Sequence, residues 1–197
     1  MLCLACSAPG SPLCFSCEQS LQRVPGRIVG TGNVRVAVSP AFAHCGAAAR
    51  LVHNLKYRRS IKAGRLLAAS MADLLPLDAD VLVPIPRVLA RRVSYGIDQT
   101  TVLARLISDI TGVPVQTSLR TGVWHRRSAG LARGRRPVPA FEMCGLTPRH
   151  PVLVDDVCTT GSTLVGAALA LGIDGIHAVV ASSATGNASP IVHGLET

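Results

Sequence analysis

The sequence predicts an α/β fold, a parallel sheet flanked by helices, and three observations carry the prediction. Short apolar runs of Val, Leu and Ile alternate along the chain with stretches of helical period. Aromatic residues make up only 3%, so the core must be aliphatic, as the buried strands of a parallel sheet usually are. An apolar fraction of 48% against 16% charged over 197 residues marks a globular chain, long enough for one such domain and a small appendage.

The elements follow in order. Residues 1–24 hold four of the seven cysteines and read as a separate small unit. Pro25, Gly26, Gly30 and Gly32 read as a linker. From Val34, apolar and other residues alternate through Val36 and Val38, which predicts a strand and opens a domain spanning 34–185. Helices are expected over 47–57 and 64–75. Val81-Leu82-Val83 runs into Pro84-Ile85-Pro86, a strand ending in a fixed turn. Asp98 is placed as the N-cap of a helix to Ile110 that Gly112 stops, and Val113-Pro114-Val115 as the start of a strand. Strand 151–154, helix 161–171 and strand 176–181 complete the alternation.

The sharpest chemical signal is Val152-Leu153-Val154-Asp155-Asp156-Val157-Cys158-Thr159-Thr160-Gly161-Ser162-Thr163. A buried strand delivers two carboxylates and then a hydroxyl-rich turn that opens a helix. A helix start leaves about four N–H groups unpaired and carries partial positive charge, so it holds a phosphate. Gly161 lets the backbone approach the anion, and Thr159, Thr160, Ser162 and Thr163 add donors. Asp155 and Asp156 sit where ligands bind in open α/β sheets and suit the hydroxyl pair of a sugar. The plain alternative, a capped helix without a ligand, accounts for one Asp or Thr but not the string.

Cys3-x2-Cys6 and Cys14-x2-Cys17 are two knuckles separated by seven residues. Tetrahedral zinc needs four converging thiolates, and two such turns supply them, in a structural or docking role. A disulfide pair is the alternative. Cys45, Cys144 and Cys158 are isolated and read as buried small hydrophobes.

The Asp155–Thr163 string resembles the phosphoribosyl pyrophosphate (PRPP) motif of type I phosphoribosyltransferases. Together with the knuckles, His53-Asn54-Leu55-Lys56-Tyr57, Val83-Pro84-Ile85-Pro86 and Gly96-Ile97-Asp98-Gln99, it resembles the ComF family across about residues 3–183. The resemblance implies a type I phosphoribosyltransferase-like domain behind an N-terminal zinc knuckle, and a link to DNA uptake and related roles. It implies that Asp155 and Asp156 contact the ribose hydroxyls and Thr159, Thr160, Gly161, Ser162 and Thr163 the 5′-phosphate. Magnesium would arrive with PRPP. Backbone at Pro84 and Ile85, with Arg87, fits against the pyrophosphate, with a rigid Pro-bounded loop as the alternative, and Lys56 fits a phosphate contact or a solvated lysine. The chain has Tyr95-Gly96-Ile97-Asp98-Gln99 where the family usually has Arg-Gly-Phe-Asn-Gln, and it lacks a Gln and an Asn before Ala140-Phe141. Those departures bear on catalysis more than on PRPP binding.

Net charge is +9, from 18 Arg and 2 Lys against 11 acids, which reflects either genome composition or anionic ligands. Residues 118–140 carry six arginines and no acid; Arg126, Arg127, Arg133, Arg135 and Arg136 fit a hood over pyrophosphate, a strip for single-stranded DNA, or a solvated basic loop. A non-catalytic module binding a phosphorylated ligand or single-stranded DNA therefore stands beside the transferase. A protein partner at the knuckle is a further expectation. No apolar run reaches 18 residues, and Met1–Cys6 lacks the start of a signal peptide, so no membrane insertion and a cytoplasmic location are expected.

Overall fold

The computed structural model describes residues 1–86, 98–121, 140–145 and 148–184. Its centre is a five-stranded sheet of β1 (Arg27–Thr31), β2 (Val34–Ala43), β3 (Val81–Pro84), β6 (Pro151–Cys158) and β7 (Ile176–Ser183). Their order is β1-β2-β7-β6-β3. The four strands β2, β7, β6 and β3 run parallel, and β1 is an antiparallel edge on β2. A separate antiparallel pair is formed by β4 (Leu119–Thr121) and β5 (Phe141–Met143). The α/β expectation with a mainly parallel sheet therefore holds.

Two apolar layers sandwich the sheet. On one face, α2 (Gly46–Arg58), α3 (Ile61–Ala72) and α4 (Gln99–Thr111) bury Leu51, Leu55, Leu67, Met71, Leu103 and Ile107 against Val152, Val154 and Val179. On the other, α5 (Ser162–Leu171) buries Leu164, Val165 and Ala168 against Val36, Val38, Leu153 and Val180. Because the strands are covered on both faces, they read as unbroken apolar runs.

Several elements differ from the sequence reading for local reasons. The segment expected to be a linker contains β1, because Gly30 and Gly32 serve a hairpin. Gly32 takes φ +55 in the turn, and a Cβ on Gly30 would lie 2.6 Å from the Val34 carbonyl. Helix α3 starts at Ile61 rather than Gly64, since the Ser60 side chain caps it by accepting from the Ala63 N–H. Val115 makes only an isolated bridge to Leu82; Pro114 beside it has no N–H with which to extend a ladder. Asp98 does occupy the N-cap position of α4, but its side chain does not cap; Oδ1 lies 2.6 Å from the Thr100 hydroxyl.

The N-terminal unit packs against the core. A short helix, α1 (Phe15–Gln19), carries Cys17, and Cys3, Ala5 and Cys17 are buried in the same layer as Leu51 and Leu55. Polar contacts fix the dock: Asn54 Nδ2 donates to the Leu4 carbonyl at 2.8 Å, and the Ala47 N–H donates to Ser20 Oγ at 3.1 Å. Among the isolated cysteines, Cys158 is buried as expected, whereas Cys45 is exposed at the N-cap of α2 and Cys144 is half-buried.

Candidate functional site

Parallel pairing brings the carboxyl ends of β2, β7, β6 and β3 to one edge, where α/β sheets place their ligands. Strand β6 continues past Val154 to Cys158, so Asp155 and Asp156 lie within the strand rather than just beyond it. Neighbouring strand residues point to opposite faces. Asp156 is buried, and its Oδ1 is 2.9 Å from Lys56 Nζ in the last turn of α2. Asp155 is half-buried, and its Oδ1 accepts from the Asp156 N–H at 2.8 Å. Asp155 is thus the more accessible of the two carboxylates.

Thr159 and Thr160 are exposed, and Gly161 forms the N-cap of α5 with φ +82. Gly161 has no side chain with which to cap the helix, the Ser162 N–H donates to Thr160 Oγ1 at 3.4 Å, and the Thr160 and Ser162 hydroxyls lie 3.1 Å apart. Ser162 and Thr163 are half-buried on the first turn. A helix start whose N-cap is a glycine and whose first turn carries clustered hydroxyls suits an anion. Gly161 is required for a second reason. A Cβ there would sit 2.7 Å from Val29 Cγ2 on β1.

Pro84 and Ile85 lie beside Val154, but they offer no free N–H groups. Prolines have none, and the Ile85 N–H donates to the Val154 carbonyl at 3.1 Å. Arg87, Gly96, Ile97 and the arginines from Arg126 to Arg136 lie outside the described residues. Gln99 is fully buried; its Nε2 donates to the Lys56 carbonyl at 3.3 Å, and Thr100 Oγ1 lies 2.7 Å from the Ile85 carbonyl. Gln99 and Thr100 together thus tie the end of α2 to the end of β3.

Two site-edge residues escaped the sequence reading. His44 follows β2, with Nδ1 2.7 Å from Ser182 Oγ at the end of β7. Burial and then the Lys56 charge hold its imidazole below the ordinary value, while Asp156 opposes. A polar residue just past an apolar strand was the available signal. Arg27, on β1, donates through Nη2 to Cys158 Sγ at 3.3 Å and to the Thr159 carbonyl. No local pattern announces it.

The second candidate centre is the knuckle pair. The Sγ atoms of Cys3, Cys6, Cys14 and Cys17 all lie within 4.8 Å of one another, with Cys6 and Cys14 at 3.6 Å. Tetrahedral zinc with Zn–S near ~2.3 Å sets sulfur separations of ~3.8 Å, so the donor set fits. Burial acts to raise the Cys3 thiol, but backbone hydrogen bonds from Cys14, Cys6 and Ala5 outweigh it and bring it down to about 6. Burial, with the Cys6 and Cys14 thiols, pushes Cys17 up to about 12, and Arg50 Nη2 at 3.4 Å opposes. A bound dication would deprotonate such a thiol. The four cysteines can hold a metal such as zinc.

Fold and sites together define an α/β protein with a mainly parallel sheet, a four-cysteine cluster and a hydroxyl-rich helix start beside two carboxylates. No protein-family model matches the chain. It is similar to the DNA utilization protein YhgH of Escherichia coli (strain K12), at 28% identity over 90% of this chain and 81% of that protein. It is similar also to the DNA utilization protein YhgH of Shigella flexneri, at 27% identity over 83% of this chain and 74% of the relative. Among the described residues no helix is long and apolar enough to cross a membrane.

Proposed function

We propose that this chain is a ComF-type phosphoribosyltransferase-like protein that binds PRPP with Mg²⁺ at the carboxyl edge of its sheet. The observation that carries the reading is the α5 start at Gly161 with Thr159, Thr160, Ser162 and Thr163 around it, immediately after Asp155 and Asp156. The loop would take the 5′-phosphate. Asp155, the more accessible carboxylate, would accept from the ribose hydroxyls, with Asp156 held behind it by Lys56. In a transfer reaction a base nitrogen would bond to ribose C1 as the C1–O bond to pyrophosphate breaks. The chain's part would be positioning and charge stabilisation. Magnesium would supply charge neutralisation at the pyrophosphate. Zinc on Cys3, Cys6, Cys14 and Cys17 would be structural, since Cys3 and Cys17 lie in the core layer. A shift in melting temperature with Mg–PRPP, larger than with ribose 5-phosphate, tests the reading; no shift with either contradicts it.

A second reading, a module that handles single-stranded DNA, is favoured by a specific surface. Arg58, Arg59, Lys62 and Arg65 are all exposed where α2 meets α3, beside exposed Tyr57, whose ring lies 4.6 Å from that of His53. No acid occurs from residue 44 to 72. Cations follow a nucleic-acid backbone and an aromatic ring stacks bases, and two relatives are named for DNA utilization. Fluorescence anisotropy with a labelled thymidine oligomer at stepped salt tests it. Neutralising the four cations should reduce the slope of log affinity against log salt by about two to three. An unchanged slope contradicts this surface.

A further inference from the structure

The loop before α5 has a neighbour that the motif does not contain. Arg27 opens β1, and its guanidinium crosses to the loop, where Nη2 binds the Thr159 carbonyl and Cys158 Sγ. Its Nε is buried and has no hydrogen-bond partner among the described residues. The ion pairs of the described residues join Arg35 to Asp174, Lys56 to Asp156, Arg120 to Glu142 and His150 to Asp78, none of them to Arg27. Cys158 does not neutralise it either, because burial pushes that thiol up despite Arg27. A half-buried cation with a spare donor and no carboxylate partner thus stands behind the hydroxyl-rich loop. Two residues on, Val29 covers Gly161.

The geometry of the peptide gives this contact a direction. The only cis bond among the described residues is Ser11–Pro12, so the 159–160 peptide is trans. In a trans peptide the C=O and N–H point oppositely. Fixing the Thr159 carbonyl from the β1 side therefore aims the Thr160 N–H away from β1, and a charged donor on the carbonyl polarises that N–H.

We propose that Arg27 is a positioning residue of the phosphate loop: it holds the Thr159 peptide so that the Thr160 N–H faces the bound phosphate group, and it supplies the positive charge behind that peptide. This rests on the loop being a phosphate site, as read above. A β1 residue 132 positions from Thr159 thereby sets the anion affinity of the loop.

The test compares wild type, Arg27→Lys and Arg27→Gln for binding of ribose 5-phosphate and of Mg–PRPP by calorimetry, with zinc content and melting temperature recorded for each. Arg27→Gln keeps a donor for the Thr159 carbonyl but loses the charge, and is expected to weaken both ligands about tenfold or more. Arg27→Lys keeps the charge and is expected to stay within about threefold of wild type. A purely structural pin would lower the melting temperature and leave affinity alone. Wild-type binding with Arg27→Gln unchanged, or with Arg27→Lys as weak as Arg27→Gln, overturns the role of Arg27 and leaves the phosphate site standing. Failure of the folded wild type to bind either ligand overturns both.

Discussion

Lys56 Nζ lies 2.9 Å from Asp156 Oδ1, joining the last turn of α2 to the end of β6 with side chains only 20% and 9% exposed. The lysine is well placed, since a cation in the last turn also faces the negative end of the helix. Losing one partner leaves the other charge largely out of water. Because Lys56 is partly exposed, Lys56→Met is expected to cost about 1–3 kcal/mol of unfolding free energy, the cost of leaving a buried polar partner unsatisfied. Adding Asp156→Asn should return at least half of that. Urea unfolding of both singles and the double measures the coupling, and strict additivity would show that the contact is energetically idle.

His44 reports on the same pair. Its folded-state pKa is lowered, so its neutral form contributes stability that is complete above the unfolded value of about 6.5 and is lost as pH falls through the folded value. Following its ring protons by NMR should give a midpoint below that of an exposed histidine. Lys56→Met, which removes the second cause of the depression, should raise it. A midpoint that stays put or falls contradicts the arrangement.

Gly161 is expected to tolerate no side chain. Alanine there faces the left-handed conformation at about 1–2 kcal/mol and an overlap with Val29. Gly161→Ala should therefore destabilise the protein, and Val29→Gly, which removes the Cβ at 2.8 Å along with both methyls, should recover the overlap but not the conformational cost. Thermal melts of the two singles and the double separate these contributions. Equal damage with and without Val29 would mean that the strand does not press on the loop.

The purified protein should carry about one zinc per chain, lost on Cys6→Ser or Cys14→Ser. Because Cys3 and Cys17 lie in the core layer with Leu51 and Leu55, metal loss should lower the melting temperature by on the order of 5 °C or more. Metal analysis beside calorimetric melts checks this. Full zinc retention in both variants would rule out the four-cysteine site.

What the sequence disclosed and what it hid follow from chain distance. The path from β6 through Thr159–Thr163 into α5 is local: an apolar run, hydroxyls and one glycine in twelve residues announce strand, turn and helix. The two knuckles are legible because ligand spacing within each is also local. Strand β1 was hidden because Gly30 and Gly32, which make its hairpin, look like a linker. Arg27 with Thr159, Lys56 with Asp156 and His44 with Ser182 each join residues 100 or more apart, and no spacing rule reaches them. Gln99 was legible as a motif member, but its burial was not, since only the packed ends of α2 and β3 account for it.

The most direct test of the proposed function is calorimetric titration of Mg–PRPP into the zinc-loaded wild type and into Asp155→Asn/Asp156→Asn. Saturable binding by the wild type, abolished in a double variant that still folds, is the predicted result. A folded wild type that takes up no PRPP, or a double variant that binds it equally well, would contradict it.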